Sequence, residues 1–335
     1  MNNFKKIGMS ALAASLVSTS AFAGELTASG AASVTMEGFS GTAVQTNTAF
    51  SMGDSVHLTG STELDNGMTV SMSFELDGVN ESGTSAYDDN SLTISSDSLG
   101  TIKFSAHGGS SASTALDTTA AGDIMDNFDD VITTAGGNTA AVQANLTKDA
   151  APGDNSIYYT LPSMVDGLSV SASLSTSSSQ TGSTGNNAIG YNAVYTGVEG
   201  LSIAYGIADI ETGAAASDGD QTVMSASYAY GPVTVAFAET EYDSESTTTT
   251  ADKDFTAYSV AYTVSDEISV AYKVADLSTP NASGDLDQEV SGVTASYTAG
   301  GMTISGKMVN GDNMAYSTAV TADKSMWELA ASFAF

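Results

Sequence analysis

The chain has 335 residues, with 39 acidic side chains against eight basic ones, a net charge of −31, two histidines and no cysteine. All eight basic residues are lysines, which excludes a nucleic-acid-binding face, and the absent cysteine excludes disulfides and thiol chemistry. Charged residues make up only 14% and hydrophobic ones 41%, so composition alone does not decide between a disordered and a packed chain.

Residues 1–23 read as a signal peptide. Lys5 and Lys6 come first, then the apolar run IGMSALAASLV, then the small-residue cleavage site Ala21–Phe22–Ala23. The apolar run is too short and too interrupted to span a bilayer. The mature domain, 24–335, begins near Gly24 and is more acidic still, because the signal removes two lysines and no acid. After the signal no apolar run reaches spanning length, which excludes a helical membrane protein and says nothing against a β-barrel.

The next signal is period two. Met68, Val70, Met72, Phe74 and Leu76 alternate with Thr69, Ser71, Ser73, Glu75 and Asp77. Leu168, Val170, Ala172 and Leu174 alternate with serines, and Ile268, Val270, Tyr272 and Val274 alternate with Ser269, Ala271, Lys273 and Ala275. This spacing predicts strands with one apolar and one polar face, and helical spacing fits none of them. Tight breaks fall at 64–67, 98–100, 165–167, 198–200, 230–232, 265–267 and 299–301. Long polar breaks fall near 40–50, 79–87, 107–154, 177–186, 211–219, 243–251, 278–287 and 311–323. Eight long and seven short breaks in alternation predict sixteen strands, an all-β antiparallel up-and-down meander with both termini on the short-turn side.

A soluble sandwich or solenoid would hide the apolar faces in a core, whereas a membrane barrel would turn them to lipid and close without an edge. The strand charges favour the barrel. Lys103, Lys273, Lys307, Glu37, Glu63, Glu75 and Glu328 all lie on the polar parity. A lysine on the lipid face near the midplane costs roughly 2–4 kcal/mol. Asp209 and Glu239 depart from the rule, at predicted loop-side strand ends where that cost fades. Tyr159, Tyr191, Tyr195, Tyr205, Tyr228, Tyr230, Tyr262, Tyr272 and Tyr297 take the apolar parity, as amphipathic rings at headgroup level would.

Break 107–154 is the longest, and its middle changes period. Ile124, Phe128, Val131 and Ile132 follow helical spacing, while Asp123, Asp126, Asp129 and Asp130 lie largely off that face. Such a segment could pack one side on a wall and show carboxylates on the other.

With "AFAGELTASGAASV", "GTIKFSAHGG", the long break, "DNSIYYTLPSMVDGLSVSASLS" and a terminal aromatic, the mature chain resembles the trimeric general porins of Gram-negative outer membranes, nearest the alphaproteobacterial branch. The resemblance implies that loop 107–154, after the fifth strand, folds into the lumen as a constriction. It also implies a homotrimer in contact with outer-membrane lipid and lipopolysaccharide, and passage of small hydrophilic solutes. The family's facing arginine cluster has no counterpart here, because the chain has no arginine. The expected constriction is Asp117, Asp123, Asp126, Asp129 and Asp130 on the loop, with Glu63, Glu75, Lys103, Lys273 and Lys307 on the wall. Dense carboxylates in a wet channel attract cations and repel anions.

Other chemistries fare worse. "DIMDNFDD" lacks the glycine and closing glutamate of an EF-hand loop, so no cofactor is expected beyond weak divalent-cation binding by loop carboxylates. His57 and His107 are isolated and poorly placed for a catalytic metal site, and His57 lies on the lumen parity, away from a lipid substrate, so no enzyme is expected. A pore-free structural or adhesin-like β protein and a substrate-specific channel remain the alternatives. The last stretch, "SMWELAASFAF", is the predicted closing strand, meeting the first near Ala31–Glu37. Trp327 would join the loop-side aromatic girdle, and Phe333 and Phe335 the turn-side one. The terminal Phe335 resembles the signal read by the barrel-assembly machinery.

Overall fold

The computed structural model of the protein describes residues 26–41, 48–77, 87–113, 116, 124, 155–176, 187–211, 218–246, 252–278, 287–314 and 323–335. Residues 1–23 and the loop acids Asp117, Asp123, Asp126, Asp129 and Asp130 lie outside the described residues.

Alternating residues make sixteen strands. They are β1 (Leu26–Gly41), β2 (Ala49–Glu63), β3 (Thr69–Asp77), β4 (Tyr87–Ser96), β5 (Gly100–His107), β6 (Ser156–Thr160), β7 (Leu168–Thr176) and β8 (Asn187–Tyr195). The second half comprises β9 (Leu201–Glu211), β10 (Gly219–Tyr230), β11 (Val233–Ser244), β12 (Lys253–Thr263), β13 (Ile268–Ser278), β14 (Gln288–Ala299), β15 (Met302–Asp312) and β16 (Lys324–Ala334). Each strand pairs with its sequence neighbours, and β1 closes on β16, so the sheet has no free edge. The tight breaks are the hairpin turns. In the first, Gly67 sits at a φ of 77°, which a side chain would strain, and its N–H donates to the Leu64 carbonyl at 2.9 Å.

Closure runs from Ala31↔Ala334 to Gly41↔Lys324 and contains the predicted Ala31–Glu37 contact. Beyond it, Gly30 and Phe335 exchange both backbone bonds, at 2.7 and 3.0 Å. Two glycines of β1 lie under aromatic rings of the last strand. A Cβ on Gly30 would meet the Phe335 ring at 2.5 Å, and one on Gly38 the Trp327 ring at 2.5 Å. The rings cover backbone that would otherwise lie bare on the outer wall.

The apolar parity points outward. Met72, Leu76, Leu174, Ile268 and Tyr272 are exposed, and Ser171, Ser173 and Ser175 on the alternate parity are buried. All nine outward-predicted tyrosines are exposed on the outer wall. The outer departures from apolarity form a ladder at the loop-side end. Asp209 faces Asp220, which faces Asp243; Glu241 faces Asp254; Asp276 faces Glu289, which faces Asp312. Asp209 is therefore a member of a band, whereas Glu239, two residues before Glu241, faces Met224 and Thr256. Among the described residues no three His, Asp or Glu converge as a metal cluster. Like charges directly opposite destabilise a sheet, and salt screens them. In neutral detergent the melting temperature should therefore rise by several degrees as ionic strength goes from low to roughly 0.15 M. Asp220→Asn with Glu289→Gln should flatten that slope, and a melting temperature indifferent to salt would dissociate the band from stability.

The inner face divides in two. Toward the turns it is polar and wet. Toward the loops, in β9–β16, apolar residues occupy the lumen parity. Phe255, Leu277, Val290, Val309 and Met326 are buried there with Met314 and Ile124. Packing of chain from the long breaks onto the inner wall explains apolar side chains on a parity that would otherwise face water.

Candidate functional site

The described residues of the long break after β5 lie against the inner wall of the barrel. Ser111, Ala112, Ser113, Leu116 and Ile124 are all buried. Leu116 packs with Ala204 of β9 and Val223 of β10. Ile124 packs with Ala238, Phe255, Leu277, Val290 and Val309, on β11 to β15. The described residues of the break thus follow the inner wall around half the lumen. The helical-spacing reading put Ile124 on the wall-facing side, and that is where it sits. Its companions Phe128, Val131 and Ile132 lie outside the described residues.

The uncovered wall holds two charged recesses. The first, about 150 Å³, is lined by His57, Glu75, Asp89, Lys103 and His107. His57 and Glu75 are register partners on β2 and β3, and His57 Nε2 lies 3.1 Å from Glu75 Oε1. Ser55 Oγ lies 3.4 Å from the same nitrogen. The second recess, about 260 Å³, is lined by Lys273, Lys307, Glu328 and the hydroxyls of Ser269, Thr294, Ser296 and Ser305. Lys307 Nζ donates to Glu328 Oε2 at 2.8 Å, and Ser269 and Ser296 pair at 2.8 Å. Each recess has room for several waters.

Of the predicted wall residues, Glu75 and Lys103 share the first recess, and Lys273 and Lys307 share the second. Glu63 lies apart as the last residue of β2, opposite Thr69 at the turn-side rim. Sequence reasoning missed Asp89, His107 and the pairing roles of His57 and Glu328. The His57–Glu75 pair was reachable: the 64–67 turn places Glu63 opposite Thr69, and counting back along the hairpin puts 57 opposite 75. The Lys307–Glu328 pair spans a long break, so no turn length dictates it. Two further lysines, Lys253 and Lys324, are buried on the inner face at the loop-side ends of β12 and β16.

Both members of the Lys307–Glu328 pair keep some contact with water. Such pairs add less than about 1 kcal/mol to stability, so their main effect is on the field of the lumen. Lys307→Met removes one cation and leaves the Glu328 carboxylate facing the pore. The expected result is a reversal potential shifted toward cations in a KCl gradient, with a melting temperature within about 2 °C of the parent. Glu328→Gln should shift it the other way, and two variants moving together would dissociate this pair from the pore field.

A barrel that is closed, apolar outside, and polar inside around an inward-folded segment is a transmembrane β-barrel with a wet lumen. The family profile of Gram-negative porins matches residues 9–304, and the chain belongs to that family. It is an integral outer-membrane protein of the porin class, whose family and fold are those of non-enzymatic channels. Among solved structures, a porin refined at 1.8 Å resolution matches with a TM-score of 0.65 at 20% identity, covering 93% of this chain and 100% of its own. The anion-selective porin from Comamonas acidovorans matches with a TM-score of 0.66 at 14% identity, covering 93% and 99%. A mutant of the Rh. blastica porin matches with a TM-score of 0.64 at 17% identity, covering 93% and 100%. No curated protein matches the chain.

Proposed function

We propose that the chain is a general diffusion porin that passes small hydrophilic solutes and ions down their gradients, preferring cations and neutral solutes to anions. The observation that carries this reading is the charge available to the lumen. The chain has 39 acids, no arginine and eight lysines, two of them in the signal segment. Of the others, Lys253 and Lys324 are buried, and Lys307 is paired with Glu328. The anion-selective Comamonas acidovorans porin shares the fold, so preference has to come from each chain's own side chains. The loop acids Asp117, Asp123, Asp126, Asp129 and Asp130 are proposed to face the constriction from the break whose start and Ile124 line the inner wall. A pore-free structural role is disfavoured, because the two recesses leave part of the wall open to a polar lumen.

A homotrimer fits the outer wall. Among the described side chains, outward tyrosines occur only on β6 to β14. The faces of β15, β16, β1, β2 and β3 carry instead Met308, Leu329, Met36, Met52 and Met72, with Asp54 among them. Amphipathic rings are needed only where the wall meets headgroups. The tyrosine-free side is the one proposed to meet other copies. The remaining outer wall, with its carboxylate band, would meet lipid and lipopolysaccharide, where divalent cations would screen it. Residues 1–23 are proposed as the removed export signal.

The test is planar-bilayer recording of the purified protein. Stepwise conductance with a reversal potential on the cation side supports the reading. Absence of conductance, or a chloride preference, would overturn it.

A further inference from the structure

The start of the long break is held on the wall by side chains with no other evident task. Ala112 is fully buried, and both its backbone groups are taken by the barrel. Its N–H donates to Ser173 Oγ of β7 at 2.7 Å, and its carbonyl accepts from Asn192 Nδ2 of β8 at 2.7 Å. The Asn192 amide also donates to Tyr158 Oη of β6 at 3.1 Å, which employs both its hydrogens and fixes its orientation. Ser173 and Asn192 are themselves buried on the lumen parity, so neither is a solvated pore-lining group.

The wall is also shaped for the segment. A Cβ at Gly190 would lie 2.9 Å from Ser173 Oγ, 3.4 Å from the Ala112 nitrogen and 3.5 Å from the Ala112 Cβ. One at Gly206 would lie 2.8 Å from Leu116 Cδ1, and one at Gly292 would meet the Met308 carbonyl of β15 at 2.7 Å as well as Ile124 Cδ1 at 3.0 Å. Each of these glycines stands where a described residue of the break comes close, on β8, β9 and β14. Hydrogen bonds at one end and glycine seats along the way are independent observations, and they agree on one path.

We propose that Ser173 and Asn192 are positioning residues of the pore, clamping Ala112 so that Ala112 and Leu116 stay against Gly190 and Gly206 and the bore keeps its width. This rests on the diffusion-channel reading. The wall blocks outward movement, so any displacement of the segment is toward the axis and narrows the passage. Loss of one clamp bond multiplies the displaced population by about fivefold.

The test uses the full chain in planar bilayers, with heat-modified gel mobility to report folding. Ser173→Ala with Asn192→Ala should give a folded barrel with a noisier open state and a roughly twofold lower mean conductance. Adding Ala112→Cys and Gly190→Cys to it supplies a covalent clamp. The chain has no native cysteine, and a Cβ separation of 3.5 Å is within disulfide reach. Oxidation should restore parental conductance and noise, and reduction should abolish the rescue. Parental behaviour of the double-alanine form, or no rescue by the formed disulfide, would overturn the clamp. Should that form fail to fold, the cysteine pair with Ser173→Ala alone decides, because a Cβ at Gly190 meets the Ser173 hydroxyl at 2.9 Å: oxidation must quieten the open state without lowering conductance, and a lowered conductance overturns the proposal. Cross-link yield needs no current, so a silent parental chain would sink the channel reading alone, and a folded chain that never cross-links would sink the clamp alone.

Discussion

Deleting Phe335 should lower the folding equilibrium constant of the barrel by a factor of roughly thirty, read as an earlier midpoint in denaturant, through the two closure bonds it takes with it at about 1 kcal/mol each. Those bonds join Gly30 and Phe335 in both directions and are the last rung of the β1–β16 seam. Without them, the Gly30 N–H and carbonyl lose their partners at the turn-side edge of the membrane. The ring is lost as well, and Gly30 has no side chain of its own to cover the strand. Phe335→Leu separates closure from recognition. It keeps the backbone bonds and an apolar cover, so refolding into detergent should match the parent. If the barrel-assembly machinery reads the terminal aromatic, the same variant should accumulate in the outer membrane at a visibly lower level. Parental levels in cells would remove the aromatic from that role, and a deletion variant refolding as well as the parent would remove Phe335 from closure.

The outer half of this molecule was legible because lipid imposes a simple rule. Each strand shows apolar groups on one side, and short turns pin the register of each hairpin. Met72 and Leu76, Leu174, and Ile268 with Tyr272 all point where period two put them. The inner half obeys no such rule. Phe255, Leu277 and Val309 sit on the parity that sequence reads as wet, and they are buried in a cluster with Ile124 and Met314, which come from two of the long breaks. That cover comes from residues far away in sequence, so no local pattern announces it. Ser173, Asn192 and Gly190 look like ordinary members of an alternating strand. Their role appears only when Ala112 is placed against them. The charged recesses fall between these extremes. Parity put Lys103, Lys273 and Lys307 on the lumen side, and register set Lys307 opposite Glu328.

Replacing Asp126, Asp129 and Asp130 by Asn should remove most of a cation preference of about tenfold, the low end of the enrichment that a charged cleft sustains. The described walls are nearly balanced in sign. One recess sets Glu75 and Asp89 against Lys103, and the other sets Glu328 against Lys273 and Lys307. Walls of this kind give little selectivity by themselves, and the second one leans toward anions. A strong cation preference therefore has to come from carboxylates elsewhere in the passage. Three aspartates within five residues, on a break that starts along the inner wall and returns to it at Ile124, are the densest source in reach. The salt dependence sharpens the test. At roughly 0.1 M the screening length is about 10 Å, and at 1 M it is about 3 Å. Selectivity arising from the loop should hold at the lower salt and fade at the higher one. The asparagine variant should show at low salt what the parent shows at high salt. An unchanged reversal potential would take these aspartates out of the constriction and leave the selectivity to the loop-side mouth. Lys307→Met would then still shift the potential, because its recess opens to the lumen whatever the loop does.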